Sequence, residues 1–308
     1  MEKDFHYFII YSVAKLTGYD KTRTIAYSSQ FVDDNNEGQF SIDGGRSSFP
    51  EKIPANGGSY YPIMTQSLSP LSLDIYIQRY VYIPFHFLPG DNNVKIKGKE
   101  NPLSTTPNSQ NARALLKAAL DSNDPYRIGI ALHTFTDTWS HQNFTGLCED
   151  WNALYPWYNV FKSIVPNIGH AEAGHLPDVI SEDWVDYRIN KKINNRKRAF
   201  EAVAEIYKIM RERSGKGPDW KDVADEYEQI IEAASYDERI EEIAKMLQNR
   251  GLGAIPNYSK NDWIDAALCK TDIVITMSAE FLSTDWYRFH QRAKAHFAVV
   301  MNLMRELF

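Results

Sequence analysis

A chain of 308 residues with 43% hydrophobic and 24% charged residues is long enough to bury a sizeable core and too apolar to be disordered. Its formal net charge of −6 argues against holding nucleic acid through a general basic surface, although a local metal cluster could still bind a phosphate. Only two cysteines occur, Cys148 and Cys269, far apart and in no CxxC arrangement, which speaks against a disulfide scaffold and against a thiolate zinc site.

The amino terminus, MEKDFHYFIIYSVAKLTGYD, has an apolar stretch from Phe8 to Ala14. Tyr11 and Ser12 interrupt it, acidic residues precede it and no small-residue cleavage site follows, so it does not read as a signal peptide. No apolar run is long enough to span a bilayer, and the expected location is the cytoplasm. Phe5, Phe8, Ile9, Val13 and Leu16 mark a helix face from Asp4 to about Thr17, with Gly18 as its stop. Asp20 is placed to cap a second helix through Ile25, Ala26 and Phe31 to Val32, making a helical hairpin. Equal rise per residue then puts His6 and the pair Asp33 and Asp34 at the same open end. A surface helix end would explain the two aspartates equally well.

From Asn35 to Pro70 the chain is rich in Gly, Ser, Asn and Pro, including Gly44-Gly45 and Gly57-Gly58, and reads as a long functional loop. Leu73 to Ile83 alternates, with Ile75, Ile77, Val81 and Ile83 on one side and Tyr76, Tyr80 and Tyr82 on the other, which predicts a strand. It leads to His86 in an apolar, proline-flanked loop. After a polar connection from Asp91 to Ser109, an alanine- and leucine-rich helix runs from Asn111 to Leu120.

The strongest chemical signal is IGIALHTFTDTWSHQNF, Ile128 to Phe144. Asp124 and Pro125 start a helix expected from about Tyr126 to His141. On it His133 and Asp137 are one turn apart, and His141 falls only about 80° further round, so three metal-ligand types share one face. Ile130, Leu132, Phe135 and Trp139 around them imply that this face looks into the protein. Buried His and Asp need partners, and either a metal ion or a private hydrogen-bond network would supply them.

An aromatic stretch with Trp151, Tyr155, Trp157 and Tyr158 reads as core packing. It leads to IGHAEAGHLPD, where His170, Glu172, His175 and Asp178 crowd together, either as a second ligand set or as a polar loop before a helix start near Pro177 and Asp178. Beyond Asn190 the chemistry thins out. Lys191 to Arg198 reads as the solvated start of a helix ending near Ser214. Asp219 to Ala234 and Ser235 to Leu252 are amphipathic helices, and Ser283 or Thr284 caps a last helix to Phe308. His290 and His296 on that helix lie on nearly opposite faces and cannot serve one site. The expectation is one mainly α domain over 1–308, with a loop and β insertion at about 35–90 and a helical carboxy-terminal extension from about 190.

The ordered set His6, Asp33 or Asp34, His86, His133, Asp137, His141, then His170 or His175 resembles the ligand order of the zinc-dependent phospholipases C and the single-strand-specific nucleases that share their helical fold. The matching motif is Ala131-Leu132-His133 with Asp137, followed by Ser140-His141. The chain also looks like an uncharacterised bacterial family that begins with DFHY, here Asp4 to Tyr7, and carries VDD, here Val32 to Asp34. The resemblance covers roughly residues 1 to 185.

It implies a helical bundle of the phospholipase C type and hydrolysis of a small phosphate-ester substrate. In that reading His133 and Asp137 hold a central metal, His141 and His6 its neighbour, and Asp33 or Asp34 bridges or orients the attacking water. His170 or His175, with Asp178, completes the shell. The final motif departs from the family's His and Glu one turn apart. A third ion in the secreted enzymes also uses a freed amino terminus, whereas this chain starts with Met1. One or two metals are therefore favoured within a range of one to three ions. Imidazoles and carboxylates without thiolates suit zinc best, with manganese, iron and nickel as alternatives. The rival reading is a non-catalytic or structural-metal protein that kept the fold with a degraded site.

Overall fold

A computed structural model describes residues 1–36, 53–55, 58–68, 70–90, 94–155, 166–270 and 275–307, and it is mainly helical with three small antiparallel strand pairs. A π-helical turn over Asp4–Ile9 runs straight into α1 (Ile10–Leu16), and after a turn at Gly18 the chain folds back as α2 (Thr22–Asp34). The hairpin is as the apolar spacing predicts, but Asp20 does not cap α2. That helix starts from Lys21 with no side-chain cap, and the Thr22 hydroxyl donates to Tyr19 O instead.

Most of the Gly-rich connection, Gly44, Gly45 and Gly57 included, lies outside the described residues; β1 (Ile53–Ala55) pairs there with β2 (Gly58–Tyr60). The strand expected over Leu73 to Ile83 is instead helical: α3 (Ile75–Ile77), a π-helical turn Gln78–Tyr82, and α4 (Ile83–Phe85). Ile77, Val81 and Phe85 are buried at four-residue spacing while Ile75, Tyr76 and Tyr80 are exposed. That spacing satisfies a helix as well as an alternating strand, and the Asp74 carboxylate tips the balance by accepting from Tyr76 N as an N-cap.

After α5 (Gln110–Asp121), the central helix α6 (Pro125–Ser140) is buried at every position except Pro125 and Arg127. Asp124 Oδ1 accepts from both Tyr126 N and Arg127 N, which fixes its start where the sequence places it. A helix apolar on all sides must be enclosed, and α2, α4, α5 and the two later helices Asn195–Ser214 and Asp285–Leu303 surround it. The closest approach is to α2. A side chain at Gly129 would come within 2.2 Å of Ile25 O and 2.6 Å of Ser28 Cβ, so only glycine lets the two helices lie this close. That contact sets the end of α2, with Asp33, against His133.

Expectations beyond residue 150 need two corrections. No helix begins at Pro177 and Asp178; the segment is a short 3-10 turn over Ala171–Ala173 followed by further turns. Lys191–Asn194 is not the first turn of a helix but strand β4, paired with β3 (Asp183–Asp186), and α7 (Asn195–Ser214) starts only behind it. Trp157 and Tyr158 lie outside the described residues. Two amphipathic helices follow as read, α8 (Ala224–Glu232) and α9 (Tyr236–Asn249), the second capped by Ser235. The chain closes with α10 (Asn261–Ala267), β5 (Leu268–Lys270) paired with β6 (Ile275–Met277), and α11 (Asp285–Leu303), capped by Thr284. One apolar core joins both ends of the chain, from Phe5 to Met304.

Candidate metal centre

Five elements deliver one cluster of histidines and aspartates. The amino-terminal π-helical turn carries His6, the end of α2 carries Asp33, and the residue after α4 is His86; α6 carries His133 and Asp137, with His141 at its C-cap, and the turn region beyond residue 166 carries His170 and Asp178. The segment that carries His6 is π-helical, and a second π-helical turn, Gln78–Tyr82, leads into the short helix before His86; this rare conformation recurs at functional sites. The cluster floors an open pocket of about 700 Å³, which Met1, Asp33, His86, Asp137, His141, His170 and Asp178 line, while His6 and His133 lie fully buried behind it.

Asp137 is the hinge of the arrangement. Its Oδ2 lies 3.1 Å from His133 Nε2 and 3.2 Å from His86 Nδ1, and Asp33 Oδ1 is 3.7 Å and 3.9 Å from the same two nitrogens. His86 Nδ1 and His133 Nε2 are themselves 3.2 Å apart. Four ligands on a tetrahedral zinc, each at its usual bond length, stand about 3.3 Å from one another. Asp137 Oδ1 turns the other way, 3.1 Å from His6 Nε2 and 2.7 Å from the Met1 amine. Farther along, Asp178 places Oδ1 3.2 Å from His141 Nε2 and Oδ2 3.2 Å from His170 Nε2. The Met1 amine, 3.2 Å from Asp178 Oδ1, links the two halves.

The second nitrogen of three rings is already committed. His86 Nε2 donates to Thr65 O at 2.8 Å, His141 Nδ1 to His86 O at 2.8 Å, and His170 Nδ1 to Gly174 O at 2.9 Å. An imidazole that gives its one N–H to a carbonyl carries a lone pair on its other nitrogen, and here each lone pair faces a carboxylate oxygen at 3.2 Å. Two acceptors held at that distance are reconciled either by a further proton on the ring or by a metal cation between them. Outward N–H bonds to main-chain carbonyls are also how metal-bound histidines are oriented. Gly174 sits at φ +60° and ψ −132°, a conformation open essentially to glycine alone, so the carbonyl that orients His170 depends on that residue.

The protonation states match. Burial holds the rings of His6 and His170 down at about 4, and burial, with His6 alongside, keeps His133 well below its ordinary value. Burial would raise Asp137 and Asp178, but the Met1 ammonium and the surrounding histidines outweigh it and hold both carboxyls well below the usual range. Asp33 goes the other way: burial and the neighbouring Asp137 carboxylate push it up, an excess of negative charge that a cation would relieve. Burial alone would strip the Met1 amine of its proton, yet Asp137, Asp178 and Asp33 raise it to about 11. Among the described residues, the buried Nδ1 atoms of His6 and His133 have no hydrogen-bond partner.

Three sets of three ligand types are thus close enough to hold an ion: His6, His133 and Asp137; Asp33, His86 and His133; and His141, His170 and Asp178. The residue common to two of the sets is His133; Asp137 meets His6, His86 and His133, and Asp33 stands beside His86 and His133. His6 and His141 fall in different sets rather than beside one ion. Asp34 is in none of the sets; it lines the pocket and accepts from Tyr258 OH at 2.6 Å and Gln30 Nε2 at 3.3 Å. His175 is exposed on the pocket wall and belongs to none of the sets, and Glu172 caps a turn by accepting from Leu154 N and Tyr155 N. His290 and His296 lie away from the cluster. The sequence reading left the Met1 amine out of the site, and no residue pattern in the sequence places it there.

The chain belongs to a family of unknown function, DUF6765. Its model matches residues 1–304, the whole cluster and the carboxy-terminal helices together. No curated protein and no solved structure matches the chain. Among the described residues, no helix is long and apolar enough to cross a membrane.

Proposed function

We propose that the cluster is a metal centre, best suited to zinc, and that the protein is a metal-dependent hydrolase of a phosphoric ester. The observation that carries the reading is the set of imidazole lone pairs aimed at carboxylate oxygens 3.2 Å away, with each ring's other nitrogen tied to a main-chain carbonyl. Neutral imidazoles beside ionised carboxylates are the ligand forms such an ion requires. Zinc in a site of this kind polarises a phosphoryl oxygen and makes water acidic near neutral pH. The resemblance to the zinc-dependent phospholipases C and single-strand-specific nucleases supports the same chemistry and the same helical bundle.

The chain's own residues divide the work. Asp33, His86 and His133, with Asp137 Oδ2 against both rings, would hold one ion; His141, His170 and Asp178 would hold a second; and His6 lies against the far oxygen of Asp137. Asp33 is the most exposed carboxylate of the cluster, at 28%, and faces the pocket from the end of α2, where it can take a proton from water entering beside the substrate. Phe87, stacked on His141 with ring centroids 4.5 Å apart, covers one side of the second set and limits water there.

The test is hydrolysis of aryl phosphomonoesters and phosphodiesters by protein purified without chelators. Turnover that disappears with a chelator, returns with zinc, and is absent from a folded His133→Ala variant is the expected result. A metal-loaded protein inert toward both ester classes would overturn the hydrolase reading and leave a structural metal.

A further inference from the structure

Arg239 is among the largest fully buried side chains of the protein, 2% exposed, and it comes from α9, in the region where the sequence shows no chemistry. Its Nε donates to Asp4 Oδ2 at 2.7 Å and its Nη1 to Ala233 O at 2.9 Å. Asp4 is itself 1% exposed, and its other oxygen accepts from Phe5 N at 2.9 Å. Both charges are therefore removed from water and satisfied by each other and by the main chain. A buried pair of this kind returns little net stability compared with an apolar pair of the same size, so its use lies in what it positions.

What it positions is the first π-helical turn. Asp4 opens that turn, His6 stands two residues further on, and His6 Nε2 meets Asp137 Oδ1 at 3.1 Å. The same α9 end packs Tyr236 against Phe8, ring centroids 6.3 Å apart, and Tyr236 lines the pocket mouth beside Glu2 and Lys3. A π-helical turn is rare and is found mostly as a single turn at functional sites.

Building on the metal-centre reading above, we infer that Arg239, through Asp4, is a positioning residue that sets the amino-terminal turn so that His6 reaches the metal cluster. The carboxy-terminal helices then serve the site as well as the core, and the family match over 1–304 spans both.

The test compares the full-length protein with Arg239→Met, the charge-balanced pair Asp4→Asn with Arg239→Met, His6→Ala, and His6→Ala with Arg239→Met. Zinc equivalents per chain, kcat and KM on an aryl phosphodiester, and amide hydrogen exchange are read for each. The charge-balanced pair leaves no unpaired buried charge and keeps the variant folded. It should lower zinc occupancy as His6→Ala does and reduce kcat about 10- to 100-fold, the scale of outer ligand supports, with KM unchanged. In the His6→Ala background, Arg239→Met should change neither quantity by more than about twofold, because the two residues then act as one unit. A folded pair variant with the full zinc complement and kcat, or losses that multiply in the His6→Ala background, would overturn the inference. If the unaltered protein binds no zinc, the metal reading itself fails. Exchange then decides the positioning claim, which predicts faster exchange over residues 4–9 in Arg239→Met with α6 unchanged, and which equal protection there would refute.

Discussion

Two sets of buried histidines occupy this molecule, and they are arranged oppositely. His290 and His296, on α11, are fully enclosed, and each meets the main chain: His290 Nδ1 accepts from Ile63 N at 3.2 Å, and His296 Nε2 donates to Pro84 O at 3.0 Å. Four of the cluster histidines, His6, His86, His133 and His141, are buried as well, but their inward nitrogens confront carboxylates and one another. Burial alone therefore does not make a histidine functional. What separates the two sets is what the rings face: the α11 pair meets main-chain groups, while the cluster rings converge on carboxylates and on one another.

Asp137 is where that convergence is most easily broken. Replacing it with Ala leaves His6, His86, His133 and the Met1 ammonium without their shared carboxylate, and removing one partner from such a buried network costs about 3–5 kcal/mol. Denaturant unfolding should show that loss, and metal analysis should show at least one ion gone. A variant as stable as the parent would contradict the assignment of Asp137 as hinge.

Gly174→Ala probes the same cluster from its edge. The added methyl meets no atom within 4 Å, so the effect comes from forcing φ +60° on an alanine, about 1–3 kcal/mol of strain, and from moving the carbonyl that orients His170. Zinc affinity should fall about 10- to 100-fold, measured by competition with a chelating dye. Unchanged affinity would show that His170 is not held for a ligand role.

The α11 histidines give the other side of the comparison through pH. Burial holds His296 down at about 4 and His290 well below its ordinary value, so both are neutral in the fold while the unfolded chain takes up protons below about 6.5. Stability is therefore full above that value and falls as the pH drops, by about 1.4 kcal/mol per pH unit for each histidine, until the folded ring itself protonates. Between pH 6.5 and 5 the term for His296 is about 2 kcal/mol. His296→Gln, which can still donate to Pro84 O, should flatten the stability–pH curve in that window, and an unchanged slope would remove His296 from the account.

The smallest effect belongs to Asp34. Tyr258→Phe deletes a 2.6 Å hydrogen bond to its carboxylate, worth about 1.5 kcal/mol, and should leave zinc content untouched because Asp34 is in none of the ligand sets. Loss of an ion in this variant would put Asp34 back among the ligands.

Much of this was legible in the chain. The helix from Asp124 onward, the amino-terminal hairpin and the burial of the His133 face follow from local signals: a capping aspartate, proline at the first helical position and the period of apolar residues. The segment Leu73 to Ile83 misled because Ile77, Val81 and Phe85 fit both periods, and only the Asp74 cap separates them. Within the site, residue types identified the candidates but not their grouping. Whether Asp33 or Asp34, and His170 or His175, faces the cluster depends on side-chain direction at a helix end and on a turn made by Gly174, both settled by tertiary packing. Asp4, Arg239 and the Met1 amine carry no local signature, since their partners lie more than a hundred residues away.

The central claim is that the cluster binds metal, and the most direct measurement is metal content per chain by mass spectrometry on protein purified without chelators or a histidine tag. The account predicts one to three equivalents of zinc or a similar divalent ion, reduced in His133→Ala. A reproducible zero that persists after incubation with zinc would contradict it and turn the cluster into a hydrogen-bonded core network.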